Sequence, residues 1–511
     1  VTTKLREHYD WVTFGDHPAA ILSAAMVARL GLSAIIVPLE KSKVIDREQI
    51  LDLEPGRIDG LGKIGLASGL WRGAIERLTT KRGAEGFWEK ISELKMAREV
   101  VTPHDRVGVA TDADLFAREF AREWSVDGAA LSDALKRADR AFGRYIEKWF
   151  EAFRLRIENG KSVSLAPPRL DECLNDEFKG APASARALLR SRKGFADVIG
   201  TAFPAVDPGR VTNVGRAFEL PDAWLSVCFE RSGAAFRGGM GAFREALLKI
   251  AVESGAQIAS DEVCRRIDVE GGRNPKLRSF MLSGLPNPIL ATAGAFSGTS
   301  EQLVEAIRES SAAAIPSVVR PSPAAWRFTL AFTLHREAIP VSVPARITIQ
   351  DLEGPPLELE WANAEDYGVD EPEHVLLFAR TPVPFERETL SVEWQRKLAA
   401  RIMRKAAAVF PFIEFHVARI SPDFRKPPEG GPERDEFSGA YGFAALELIP
   451  ENLRIYPSIP SKSGFRSGVD GLFRVGPSSY PEWGSLGALR SAIESVAWFA
   501  HKNGLPGPFG P

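Results

Sequence analysis

Residues 14–43 read FGDHPAAILSAAMVARLGLSAIIVPLEKSK, and this stretch decides the fold. Just upstream, YDWVTFG (9–15) is a short apolar strand that runs into a glycine. From Ala19 onward the apolar positions Ala20, Ala24, Val27 and Ala28 share one helical face, and Gly31 ends the helix. AIIVPL (34–39) follows as a short buried strand. Strand, tight turn, small-residue helix and strand make the first unit of a doubly wound α/β domain. Residues 18–39 are long and apolar enough to suggest a membrane span, but Arg29, Gly31 and Pro38 break the run, and the buried βαβ reading is better.

Further along, the pattern changes and then returns. Residues 112–160 and 180–200 are charged and helical in pattern, as in DADLFAREFAREW, and suggest a helical insertion or cap. In GGMGAFREALLKIAVESGAQIASDEVCRRIDVEGG, Phe243, Leu247, Ile250 and Ala251 form a helix stripe, Gly255 closes the helix, and strands follow at QIAS and RRIDVE. Residues 325–385 alternate apolar and polar side chains, as in WRFTLAFTL, ARITIQDL and EHVLLFAR, which predicts an antiparallel sheet. A long helix is expected over 392–409, then a Pro/Gly-rich loop over 424–439. The chain closes with a strand, a glycine-rich loop and a helix with Leu486, Leu489, Ile493, Val496 and Ala500 on its buried face and Ser485 as its expected N-cap.

Composition narrows the function classes. A chain of 511 residues is too long for one core, and its 44% hydrophobic and 26% charged fractions are those of an ordinary globular protein. With 65 basic and 67 acidic residues it has no electrostatic reason to bind nucleic acid. Cys173, Cys228 and Cys264 lie far apart and form no C-x-x-C pair, and the seven histidines show no metal-ligand spacing. No metal is expected, and a reducing, cytoplasmic setting is. VTTKLREHYD has no apolar signal-peptide core, and no transmembrane segment is expected.

Three blocks, in order, carry a resemblance: the N-terminal βαβ unit, FRGGMGAFREALLKIAVESGAQIASDEVCRRIDVEGG, and GLFRVGPSSYPEWGSLGALRSAIESVAWFA. Together they resemble the phytoene-desaturase branch of the amine-oxidase-like flavoproteins. Gly238, Gly239 and Met240, then Gly255, Ile258, Val263 and Ile267, resemble the family's central segment, in which the backbone at the position of Val263 contacts the adenine of FAD. Gly476, Pro481, Gly484 and Gly487 resemble its C-terminal pattern, a loop and helix N-terminus that lie against the flavin. The resemblance implies a Rossmann-like FAD/NAD(P)-binding domain in three parts (1–111, 226–319 and 426–511). A helical insertion (112–225) and an antiparallel-sheet substrate-type domain (320–425) would be set into it. In this family the cap borders an apolar substrate tunnel or touches a membrane, so peripheral membrane contact is a possibility to weigh. The cap aromatics Phe116, Phe120, Trp124, Phe142 and Trp149 are nevertheless expected in the core.

Against that family, the first unit has lost chemistry. Its fingerprint is G-x-G-x-x-G/A, where the first glycine makes the turn, the second admits the pyrophosphate and the third packs helix on strand, followed by an acid for a ribose hydroxyl. Gly15 fills the first position and Ala20 is an allowed third, but His17 stands at the second. Asp16, read as the helix N-cap, would place a carboxylate at the usual anion site. Spacing puts Pro38 where the acid belongs, and Glu40 would serve only if the strand were bulged. The double glycine and arginine that normally follow are absent, with only EKSKVIDREQ before ILDLEPG.

The expectation is therefore a diverged relative without FAD, working as a binding or assembly subunit for a protein partner or an apolar, isoprenoid-like molecule. The alternative is an active FAD-dependent desaturase-type oxidoreductase on an apolar substrate, with Gly15, Ala20, Glu40, Val263, Gly476, Gly484 and Gly487 framing the cofactor. His17 is expected to fill vacated cofactor space. Tyr480 and Trp483 would stack on a flavin, line a substrate pocket or plug an empty cleft, and Arg237 would meet an anionic ligand or sit on the surface. The Rab GDP-dissociation inhibitors and Rab escort proteins give a precedent on a similar scaffold, by analogy of fold alone. No residue is assigned a catalytic role, and no Ser/His/Asp or Cys/His set can be assembled.

Overall fold

The structure is a computed structural model and describes residues 5–39, 57–64, 67–79, 85–104, 106–123, 127–158, 170–184, 228, 230–259, 262–271, 275–308, 323–341, 343–350, 355–363, 371–422, 446, 449, 453–455, 464–480 and 485–509. Among them, β1 (His8–Phe14), α1 (Pro18–Arg29) and β2 (Ala34–Val37) form the expected βαβ unit. The helix stops because Gly31, just past its end, takes φ of 81°, which a glycine adopts without the penalty a Cβ would impose.

Around this unit lies a seven-stranded sheet ordered Gln257–Ile258, β2, β1, Ile289–Phe296, Lys276–Leu282 and Cys264–Glu270, with Leu472–Arg474 also paired to Ile289–Phe296. The five strands from the N-terminal unit, the crossover and the C-terminal block run parallel, and the 264–282 hairpin adds two antiparallel strands. One face is covered by α1, the helix Gly239–Glu253 and the helix Ser485–Lys502, whose expected apolar stripes are all buried. The other face buries Ile35, Val37, Phe280, Leu303 and Ile307 under the helix Ser300–Arg308. Helices on both faces of a mainly parallel sheet define a Rossmann-like α/β fold, assembled from three separated stretches of chain.

A second sheet of eight strands is ordered Val417–Ser421, Ala325–His335, His374–Pro384, Leu357–Asn363, Arg346–Ile349, Met96–Val101 and Arg106–Ala110, with Arg454–Ile455 on the Ala325–His335 strand. The helix Val392–Ala407 closes one face, burying Ile402 and Ala406 against Phe328, Leu357 and Leu377. The 96–110 hairpin belongs to this sheet although it lies inside the first expected dinucleotide segment. Met96–Val101 runs parallel to Arg346–Ile349 and extends the sheet edge. A small sheet of Arg57–Ile58, Ala234–Phe236 and Ile91–Glu93 stands between the two bodies.

The helical region packs on the first body. Phe116, Phe120, Phe142 and Trp149 are core residues, as expected, and Trp124 lies outside the described residues. Among the described residues, no helix is long and apolar enough to cross a membrane.

Candidate functional site

In open α/β sheets ligands bind beyond the carboxyl ends of the parallel strands. Here that crevice is framed by Gly15 after β1, Pro38 and Leu39 after β2, Ser297 and Gly298 after the central strand, and Gly476 after the C-terminal one. Gly15 takes φ of 96°, and a Cβ there would collide with the Ser297 hydroxyl and lie 3.3 Å from Leu39 Cδ1. Ser297 Oγ donates to the Phe14 carbonyl at 3.0 Å, which holds it over the turn. Leu39 Cδ1 also comes within 2.6 Å of where a Cβ of Gly298 would be, so its side chain spans the space between the two glycines.

The expectation that Asp16 caps α1 is corrected. Pro18 is the first helical residue, so the cap falls on His17, whose Nδ1 accepts from the Ala19 N–H at 3.2 Å. The His17 carbonyl accepts from Ala20 and Ile21 N–H at 2.9 and 3.0 Å. Pro18 has no N–H to offer. Every main-chain donor from 18 to 21 is thus absent or engaged by His17, at the position where a helix normally presents free amides to a phosphate. Asp16 turns aside to Arg244 of the Gly239–Glu253 helix, Oδ2 to Nη1 at 3.2 Å. Burial pushes the His17 imidazole down to about 4, against the opposing pull of Asp16, so the ring is neutral and able to accept. Ala20 is fully buried and packs helix on strand, as its position requires.

A further expected cofactor contact, Val263, is engaged within the chain. Val263 N–H donates to Ser283 Oγ at 3.2 Å, and its carbonyl accepts from Ser283 N–H at 3.0 Å. Beyond β2, the Pro38 carbonyl accepts from Cys264 N–H at 2.9 Å, and Leu39 bridges Cys264 in parallel register. Glu40 lies outside the described residues. A dinucleotide site of this kind draws on free amides at the helix start and an acid at the end of the second strand. Among the described residues, the amides at the start of α1 are engaged within the chain.

In the C-terminal block, Tyr480 does not enter the crevice. It is buried, its hydroxyl donates to Glu494, and the Arg490 guanidinium lies 4.1 Å from its ring centre. Arg490 Nε also donates to Glu494 at 2.9 Å, completing a three-residue cluster on the C-terminal helix. Gly487 is needed at this crossing because a Cβ would collide with the Tyr480 carbonyl oxygen. At Gly476 a Cβ would meet nothing within 4 Å among the described residues. Trp483 and Gly484 lie outside the described residues.

Arg237 lies elsewhere, on the rim of a cavity of about 260 Å³ between the small sheet and the second sheet. The cavity wall also carries Arg57, Arg346, Glu360, Phe236 and Trp361. Behind it is a buried charge cluster that the sequence did not announce. Arg98 meets Glu230 at 2.7 Å, Arg346 meets Glu358 at 3.1 Å, Arg57 meets Asp59 at 3.4 Å, and Arg380 pairs with Glu360. Burial raises Glu358, but Arg346, Arg98 and Arg380 outweigh it and hold the carboxylate far below its usual range. Burial alone would lower Arg346, yet Glu358, Glu230 and Glu360 drive it upward. For Arg98 burial and the neighbouring Arg346 prevail over Glu230, bringing it down to about 10. The alternation in ARITI and LELEW was the available signal. It gives one apolar and one charged face, and the charged face is covered by the first body instead of by water.

No group of three or more His, Cys, Asp or Glu side chains among the described residues is placed to hold a metal ion. No family model matches the chain. No curated protein matches it either. The fold is similar to that of solved structures at low identity. An oxidoreductase from Methanosarcina mazei is 11% identical over 95% of this chain and 99% of its own, with a TM-score of 0.49. A Rab GDI from Plasmodium falciparum is 9% identical over 81% and 88%, with a TM-score of 0.46. Cyclohexylamine oxidase from Brevibacterium oxydans is 11% identical over 97% and 99%, with a TM-score of 0.43.

Proposed function

We propose that this chain keeps the scaffold of the FAD-dependent oxidoreductases without holding FAD, and works in the cytoplasm as a binding or assembly subunit for an apolar small molecule or a protein partner. The observation that carries this reading is the start of α1, where Pro18 and His17 leave no main-chain donor free between 18 and 21. Leu39 and Ser297 over Gly15, and the pairing of Val263 with Ser283, support it independently. Each lost polar contact costs a ligand about 1–3 kcal/mol, so the losses together remove several orders of magnitude of affinity. The cavity beside Arg237 gives a binding protein somewhere to bind.

Gly476, where a Cβ would meet nothing within 4 Å among the described residues, favours a second reading, an FAD-dependent desaturase-type enzyme on an apolar substrate, because a flavin ring could approach the backbone there. Titration of the purified protein with FAD and with ADP, followed by flavin fluorescence and calorimetry, separates the two. The binding-subunit reading expects no saturable uptake of either ligand, whereas stoichiometric FAD binding would overturn it.

A further inference from the structure

The cavity between the small sheet and the second sheet differs in chemistry from an apolar substrate pocket. Its wall presents three guanidinium groups, Arg57, Arg237 and Arg346, against one carboxylate, Glu360, which Arg380 already holds. Arg57 is locked in place, donating to the carbonyls of Ala97 and Glu230 and pairing with Asp59, so it supplies fixed positive charge. Arg346 is held through Nη2 by Glu358, while its buried Nε has no hydrogen-bond partner among the described residues. Gly238, also on the wall, caps the fifteen-residue helix Gly239–Glu253, whose positive end therefore opens towards the same space. The remaining wall is mixed, with Met96, Phe236 and Trp361 apolar and Ser92 and Asn363 polar.

We propose that this cavity binds a small amphipathic carboxylate, a single negative charge on a short aliphatic or aromatic body. One charge is favoured over two because the glutamates and aspartate behind the arginines already neutralise much of their field. A short body follows from the volume, below the roughly 300–1,000 Å³ of pockets for drug-sized ligands. The proposal rests on the reading of the chain as a binding protein, and names the ligand class for it.

Calorimetry on the full chain with octanoate, octanol and octylamine tests it, because these three share a body and differ only in head group. Octanoate is expected to bind at least about ten-fold more tightly than the other two, the charge-assisted contact being lost in both. Arg237 is exposed, so Arg237→Gln is expected to fold, as checked by circular dichroism, and to lose octanoate affinity by about ten-fold. Arg346→Lys keeps the charge but removes the planar guanidinium, and is expected to weaken octanoate without admitting octylamine. Equal binding of octanol or octylamine, no heat with octanoate, or an unaltered Arg237→Gln protein would overturn the proposal. Flavin content is measured on the same preparation. A flavin-loaded protein would sink the cofactor-free reading, while the three-ligand comparison alone decides the carboxylate.

Discussion

His17 caps the helix it precedes with its own ring. Because Nδ1 must be unprotonated to accept from Ala19, cap and charge state are coupled. The sign follows from the depressed imidazole. The unfolded chain binds a proton near 6.5 and the folded chain only near 4, so the stability His17 supports is complete above 6.5 and is lost as pH falls towards 4. The loss amounts to at most about 3 kcal/mol. His17→Asn retains a capping oxygen without a titrating group, so its denaturant midpoint should vary less with pH over that window than the parent's. An identical pH profile would place the titration elsewhere. Tyr480→Phe should cost about 1–3 kcal/mol in chemical denaturation, because Glu494 stays buried with one donor fewer. Of these two residues, the sequence exposed only the anomaly. It marked His17 as foreign to a pyrophosphate turn, but whether Asp16 or His17 caps depends on which residue Pro18 makes the last non-helical one.

At the scale of elements, periodicity was a good guide where each face had one environment. The βαβ unit, the stripe Phe243, Leu247, Ile250 and Ala251, and the face Leu486 to Ala500 of the last helix are all buried as their spacing requires. Pairing across long separations was not legible. Nothing local in MAREVV says that it will add to Arg346–Ile349, roughly 250 positions later, in place of the nearer sheet. Gly487 shows a similar limit from the other side, since its resemblance to a flavin-facing glycine has a sufficient packing cause in the Tyr480 carbonyl. Gly487→Ala should therefore destabilise the protein by about 1–3 kcal/mol in a thermal or urea melt, with or without added FAD. A variant as stable as the parent would return that glycine to a cofactor role.

For the whole molecule, the two sheets are joined through charge. Arg98 on the second sheet and Glu230 beside the small sheet are both buried, and Arg57 ties the same junction to Ala97. Glu230→Gln should cost about 3–5 kcal/mol, because it leaves Arg98 buried without its partner, while the double variant Arg98→Met/Glu230→Leu should recover much of that loss. A double variant whose loss equals the sum of the two single losses, measured by urea unfolding, would show that the pair acts independently. Each of these residues reads in sequence as ordinary surface charge, and only the stacking of two bodies turns that face inward. The Rossmann-like architecture was thus readable in three blocks, whereas the cavity was not, because its walls come from five separated stretches.

The central claim is that the scaffold persists without its dinucleotide. The visible absorbance spectrum of freshly purified protein, repeated on the supernatant after heat denaturation, tests it most directly. No flavin bands are expected in either sample, and none after incubation with FAD and removal of the excess. Flavin bands at near-stoichiometric intensity would contradict it.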